Sequence, residues 1–246
     1  MLNQPVEQRA RFLAARVDHF TTLLLFAYAQ YLFLRPMARN VELIARYGGS
    51  RKGTGFQQLR NTLYWALIQE LAKLCADKDS RTVSIPSIGY WLLRDPELRK
   101  YLLKLHSRPG FPRKKGERYR DWQALQREER AEQRVRLRAT YKSLRTNLSA
   151  LKCSRELKAI KTVRDKMLSH HEAKDVKGEL RLFDLAKLRL KFGDERRILE
   201  QAREIAVALN SLIRGTSFSW DSYVTVEEQD VCAFWEIPSI DGTTAQ

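Results

Sequence analysis

The chain predicts an all-α protein, a bundle of four principal helices that carries a basic helical insertion and a small C-terminal extension. Three observations lead there. Apolar residues recur every three to four positions over residues 5–35, 56–77 and 194–214, the period of one helix face. Residues that open and stop helices bracket these runs. Hydrophobic residues make up 43% of the 246, enough for one packed core and too many for a disordered chain.

The first helix is expected over residues 5–35, with Phe12, Val17, Phe20, Leu24, Ala27, Tyr31 and Leu34 as its stripe and Phe26 and Phe33 widening it. Pro36 marks a break or kink. A short amphipathic helix over 37–47 follows, through Met37, Val41, Leu43 and Ile44. The glycines at 48, 49, 53 and 55 then form a loop. Residues 56–77 have the clearest helical period, with Phe56, Leu59, Leu63, Leu67, Leu71 and Leu74 on one face. Ser84–Ser87 reads as a turn into a short helix with Ile88, Trp91 and Leu92. Asp95 opens another over 95–106, with Pro96 at its first position.

Residues 107–152 differ in composition. A breaker cluster, Ser107–Pro112, precedes a long helix whose Leu137, Tyr141, Leu144, Leu148 and Leu151 form a near-heptad seam. Ser154 caps the next helix, with Glu156 in its first turn. Asp175–Gly178 is polar and turn-like, and residues 180–192 alternate in a way that leaves helix and strand both open. Gly193-Asp194 starts a helix to Arg214, striped by Ile198, Ala202, Ile205, Leu209 and Leu212 and stopped by Gly215. Beyond it, Tyr223–Val226 and Val231–Trp235 are β-prone. They read either as a hairpin or as a tail packed on the bundle or on a second subunit. The chain thus divides into 1–106 and 153–215 as the two parts of the bundle, 107–152 as the insertion and 216–246 as the extension.

The formal charge is +16. From Ser107 to Arg164 there are 18 Lys or Arg and 6 Asp or Glu, a net of +12, so three quarters of the excess lies in this one stretch. That concentration suits nucleic acid, with an anionic membrane surface second and a solvated helix face as the plain alternative. Tyr119 and Trp122 among the arginines suit either base stacking or packing.

Other chemistries lack their signatures. Cys75, Cys153 and Cys232 are odd in number and far apart, which fits a reducing, cytoplasmic setting without a disulfide framework. There is no C-x-x-C and no H-E-x-x-H, so no metal site and no cofactor is expected. Gly48–Gly53 lacks the Walker spacing and a preceding strand. The N-terminus is not a secretory signal. Phe20–Leu34 spans 15 residues against the roughly 20 that a bilayer requires, so a buried helix is expected.

The stretch Leu157–Glu172 holds the candidate chemistry. Arg164-Asp165 is followed by His170-His171-Glu172. An Arg offers a planar fork of donors for phosphate, and a His can exchange a proton near neutral pH. The plain reading is an Arg at a helix edge and two histidines near a helix C-terminus. On a regular helix, positions six apart lie roughly 120° apart, so Arg164 and His170 would not share a face, whereas Arg164 and His171 would. Either the helix is distorted or ends near Ser169, or the pair converges across a dimer, or His171 is the working residue. A charge beside the stripe of Leu157, Ile160 and Leu168 also needs a partner or an interface.

Arg164-Asp165-Lys166-Met167-Leu168-Ser169-His170, with Glu172 nearby, resembles the signature of HEPN proteins. It is most similar to their abortive-infection AbiU-type branch. Residues 61–77 resemble that branch's second helix, and residues 195–214 suit the closing helix. The resemblance implies a HEPN-like bundle that dimerises, with two Arg–His motifs facing across a cleft. It implies cleavage of RNA without a metal, and a role in toxin–antitoxin or phage-defence systems beside a nucleotidyltransferase-type antitoxin.

On that reading the catalytic candidates are Arg164, Asp165 and His170, with His171 as the alternate. The RNA-contact candidates are Arg113, Lys114, Lys115, Arg118, Arg120, Arg134 and Arg138. Two other readings stay open: a non-catalytic nucleic-acid-binding module built on the basic helix, and an oligomeric interaction protein.

Overall fold

The computed structural model describes residues 4–48, 51–108, 118–168, 173–176, 179–182 and 190–238. Among them are nine α-helices and one two-stranded ribbon, so the fold is all-α as expected. The helices are α1 (Val6–Arg39), α2 (Val41–Tyr47), α3 (Arg51–Ala76), α4 (Ile85–Arg94), α5 (Pro96–His106), α6 (Tyr119–Cys153), α7 (Arg155–Val163), α8 (Asp194–Leu209) and α9 (Trp220–Trp235). The ribbon pairs β1 (Ala173–Val176) with β2 (Glu179–Leu182) in antiparallel register, Ala173 opposite Leu182 and Val176 opposite Glu179. Asp175 and Val176 are therefore strand rather than turn.

The central element is α1. Its Leu13, Val17, Phe20, Leu24, Ala27 and Leu34 are fully buried, and the helix packs against α3, α4, α5, α8 and α9. Two of its predicted stripe residues face outward instead: Phe12 and Phe26 are exposed, and Leu13 holds the buried position beside Phe12. Nor does Pro36 break the helix, which runs through it to Arg39. The missing amide donor is tolerated because Leu32, Leu34 and Met37 are all buried around it, so packing outweighs the lost bond. Asn40 then caps α2, its side chain accepting from the Leu43 amide at 2.8 Å.

Gly53 and Gly55 belong to the first turns of α3, not to a loop. A Cβ on Gly53 would sit 2.7 Å from the Tyr47 carbonyl oxygen, so this glycine lets the end of α2 approach α3. Leu67, Ile68, Leu71 and Leu74 of α3 are buried, while Leu59 is exposed.

Asp95 and Ser154 cap the helices they were expected to open, whereas Ser84, expected in a turn with residues 85–87, caps α4, which already begins at Ile85. Ser84 accepts from the Ser87 amide at 3.2 Å, Asp95 from the Leu98 amide at 2.9 Å and Ser154 from the Leu157 amide at 3.1 Å. Asp95 is also the buried counter-ion of Arg9, at 2.7 Å. Gly193 (φ 109°) starts α8. A wide π-helical turn, Asn210–Arg214, ends that helical run at Gly215 (φ 65°).

Of α6, none of the described side chains before Leu137 is buried. Leu137, Leu144 and Leu151 join the common core, packing against α8.

Of the two readings for the segments after Gly215, the tail packed on the bundle holds and the hairpin does not: they form α9. Trp220 lies 5.6 Å from Tyr28 and Trp235 5.1 Å from Phe33, ring centre to ring centre. Trp220, Val231 and Trp235 are buried, so packing against α1 overrides the local β preference of the Val and Thr residues between them. No helix of the described residues is long and apolar enough to cross a membrane.

Candidate functional site

Helix α7 delivers Arg164. Its buried face of Leu157, Ala159, Ile160 and Val163 fixes it against α3 and α8, so the residue that follows is set by core packing. At Arg164 the regular helix gives way to a π-helical turn, Arg164–Leu168. Such turns are rare and frequent at functional sites. Of the three ways to reconcile Arg164 with its histidine, distortion of the helix is thus present, and the 100° phase does not extend past Val163. Ser169, His170, His171 and Glu172 lie outside the described residues.

Within that turn Arg164 and Asp165 bind each other. Arg164 Nε donates to Asp165 Oδ1 at 2.8 Å, and its Nη2 lies 2.7 Å from the same oxygen. The other carboxylate oxygen, Oδ2, accepts from Lys161 Nζ at 2.7 Å. The arrangement is a cation–carboxylate–cation bridge of net charge +1. Burial raises the Asp165 carboxyl, but the hydrogen bonds from Lys161 and Arg164 outweigh it and hold the group below the ordinary aspartate range. The Arg164 side chain is 19% exposed, enclosed enough to be oriented and open enough to meet an anion. Lys161 was missed as a site residue. Its signal was the i, i+4 spacing to Asp165 on one helix face.

Helix α6 carries the described RNA-contact candidates. Arg120, Arg134 and Arg138 are exposed on it, and exposed Arg118 sits at its start; Arg113, Lys114 and Lys115 lie outside the described residues. On a regular helix Arg120, Arg127, Arg134, Arg138, Arg145 and Lys152 fall within a sector of about 40°. All six are exposed. The acids of the helix, Asp121, Glu128, Glu129 and Glu132, stand about 80° or more from Arg120 on the same wheel. The sequence thus separates its charges into a cationic stripe about 48 Å long, from Arg120 to Lys152. The spacing of seven and four that makes this stripe was present in the sequence, beside the leucine seam.

The family model described as AbiU2 matches residues 13–234, a span that takes in α6 and most of α9 as well as the bundle. The chain belongs to the AbiU2 family of HEPN proteins, a family related to abortive infection. No curated protein and no solved structure matches it.

Proposed function

We propose that this protein is a metal-independent endoribonuclease of the HEPN type, acting as a toxin or anti-phage effector. The observation that carries the reading is the Arg164 guanidinium, oriented by Asp165 at the start of the π-helical turn. Family membership and the cationic stripe of α6 support it.

RNA brings its own nucleophile. In the proposed reaction the 2′-oxygen forms a bond to phosphorus and the bond to the 5′-oxygen breaks. The 2′-OH proton passes to a base and the leaving oxygen takes a proton from an acid. His170, with His171 as alternate, is the proposed proton carrier. Because one imidazole cannot serve as base and acid in the same step, the second copy would come from a paired subunit. Arg164 neutralises charge on the non-bridging phosphoryl oxygens, and Asp165 holds it in place. The products are a 2′,3′-cyclic phosphate and a 5′-hydroxyl. A nucleotidyltransferase-type antitoxin is the partner proposed to restrain the activity.

Purified protein incubated with RNA in EDTA tests this. Cleavage that leaves cyclic phosphate and is lost in Arg164→Ala and in His170→Ala supports the reading. RNA that is bound through the α6 stripe but never cut supports a non-catalytic binding module instead.

A further inference from the structure

A groove runs between α4, the C-terminal ends of α3 and α6, and α7, with a cavity of about 490 Å³. Its floor is apolar, with Ile85, Leu148, Leu151 and Leu157. Its rim carries Lys78, Lys152, Lys158 and Lys161, all exposed, and no carboxylate is among the residues that line it. Tyr90 stands at the edge, 47% exposed, with the Arg94 guanidinium 4.7 Å from its ring centre.

Two of these lysines join the groove to features already described. Lys152 is the last cation of the α6 stripe. Lys161 is bound to Asp165, and through it to Arg164. The groove therefore connects a line of cations to the proposed reaction centre.

We propose that this groove holds the single-stranded RNA flanking the scissile phosphate. The proposal rests on the RNA-cleaving reading for its placement but not for its chemistry. Lys78, Lys152 and Lys158 take backbone phosphates, and a base lies on the Tyr90 ring over the apolar floor. Three lysines, Lys78, Lys152 and Lys158, beside a Lys161 already held by Asp165, suit a polyanion, and the apolar floor suits a ligand that also has flat faces to bury. RNA has both.

The test uses the full chain carrying Arg164→Ala, so that RNA stays intact, and labelled single-stranded RNA in anisotropy titrations over a range of salt. Lys152→Gln/Lys158→Gln weakens binding about tenfold and lowers the salt slope by about 1.4, two contacts at about 0.7 each. Tyr90→Ala weakens it about 5- to 100-fold with little sequence preference. A 4-thiouridine RNA crosslinks to the peptide containing Tyr90. All three positions are exposed, so the variants fold. Equal charge removal elsewhere, Lys73→Gln/Lys104→Gln, changes affinity less than threefold. Affinity and slope within twofold of the parent in the groove variants overturn the proposal. So does an equal loss in the two double variants, which assigns binding to bulk charge. Groove-dependent binding by an otherwise wild-type chain that never cuts RNA keeps this inference and removes the ribonuclease reading. Cleavage with groove-independent binding does the reverse.

Discussion

Arg164 and Asp165, adjacent in sequence, share one carboxylate oxygen: Nε at 2.8 Å and Nη2 at 2.7 Å both reach Oδ1. The carboxylate is thereby a brace for the guanidinium, with Lys161 as its second anchor. Its pKa is depressed, so the brace is present above the ordinary aspartate range and is lost only as pH falls through the depressed value. The proposed proton carrier is an imidazole, not this carboxylate. Asp165→Asn therefore lowers the cleavage rate about tenfold at every pH, a positioning loss of about 1.4 kcal/mol in the barrier. It leaves the acid limb of the pH–rate profile where it is in the parent. A moved acid limb would assign that limb to Asp165 and contradict the brace.

Arg9 and Asp95 are both buried, and Asp95 also caps α5. Asp95→Ala removes the cap and strips the buried guanidinium of its main counter-ion, destabilising the fold by about 3–5 kcal/mol. Arg9→Leu/Asp95→Asn keeps a capping oxygen and removes the charges together, and recovers more than half of that loss. Urea unfolding of the three proteins measures both values.

Gly215 closes the π-helical turn after α8 at φ 65°, and a Cβ there would run into the His106 ring. The ring cannot easily yield, because its Nε2 sits 3.0 Å from the Ile213 carbonyl oxygen. Gly215→Ala combines a left-handed backbone with this collision and costs about 2 kcal/mol or more. Gly215→Ala/His106→Ala removes the collision alone and restores part of the thermal midpoint.

Cys75 is buried and its thiol is pushed up to about 12 by burial, whereas Cys153 is exposed. At neutral pH a maleimide labels Cys153 within minutes, Cys232 more slowly, and Cys75 only at the rate of unfolding. Mass spectrometry of timed peptides reads this. Labelling of Cys75 as fast as Cys153 would contradict the packing of α3.

What was legible in the sequence was whatever depends on local chemistry. Asp95 and Ser154 cap the helices they were expected to open, because a cap needs only its own turn. The stripe Ile198–Leu212 is buried as read. Misreadings arose where a distant element decides. Pro36 is carried by the core around it, Gly53 is a helix residue that admits Tyr47, and α9 is helical because α1 offers its aromatic residues a surface. Arg164 and Asp165 could be picked out by motif. Their mutual hydrogen bonds could not, because the π-helical turn in which both sit is not a periodicity. The lysines of the groove, Lys78, Lys152, Lys158 and Lys161, come from the segment after α3, from α6 and from α7, so no single window of sequence contains it.

The central claim is that the guanidinium of position 164 and an imidazole a few residues later cut RNA without a metal. The direct measurement is end-group analysis of RNA incubated in EDTA with the parent protein, Arg164→Ala and His170→Ala, with His171→Ala alongside. The account expects 2′,3′-cyclic phosphate ends from the parent and at least a hundredfold less from Arg164→Ala and from one of the two histidine variants. Cleavage at parental rate in Arg164→Ala, or none in the parent whatever the RNA, would contradict it.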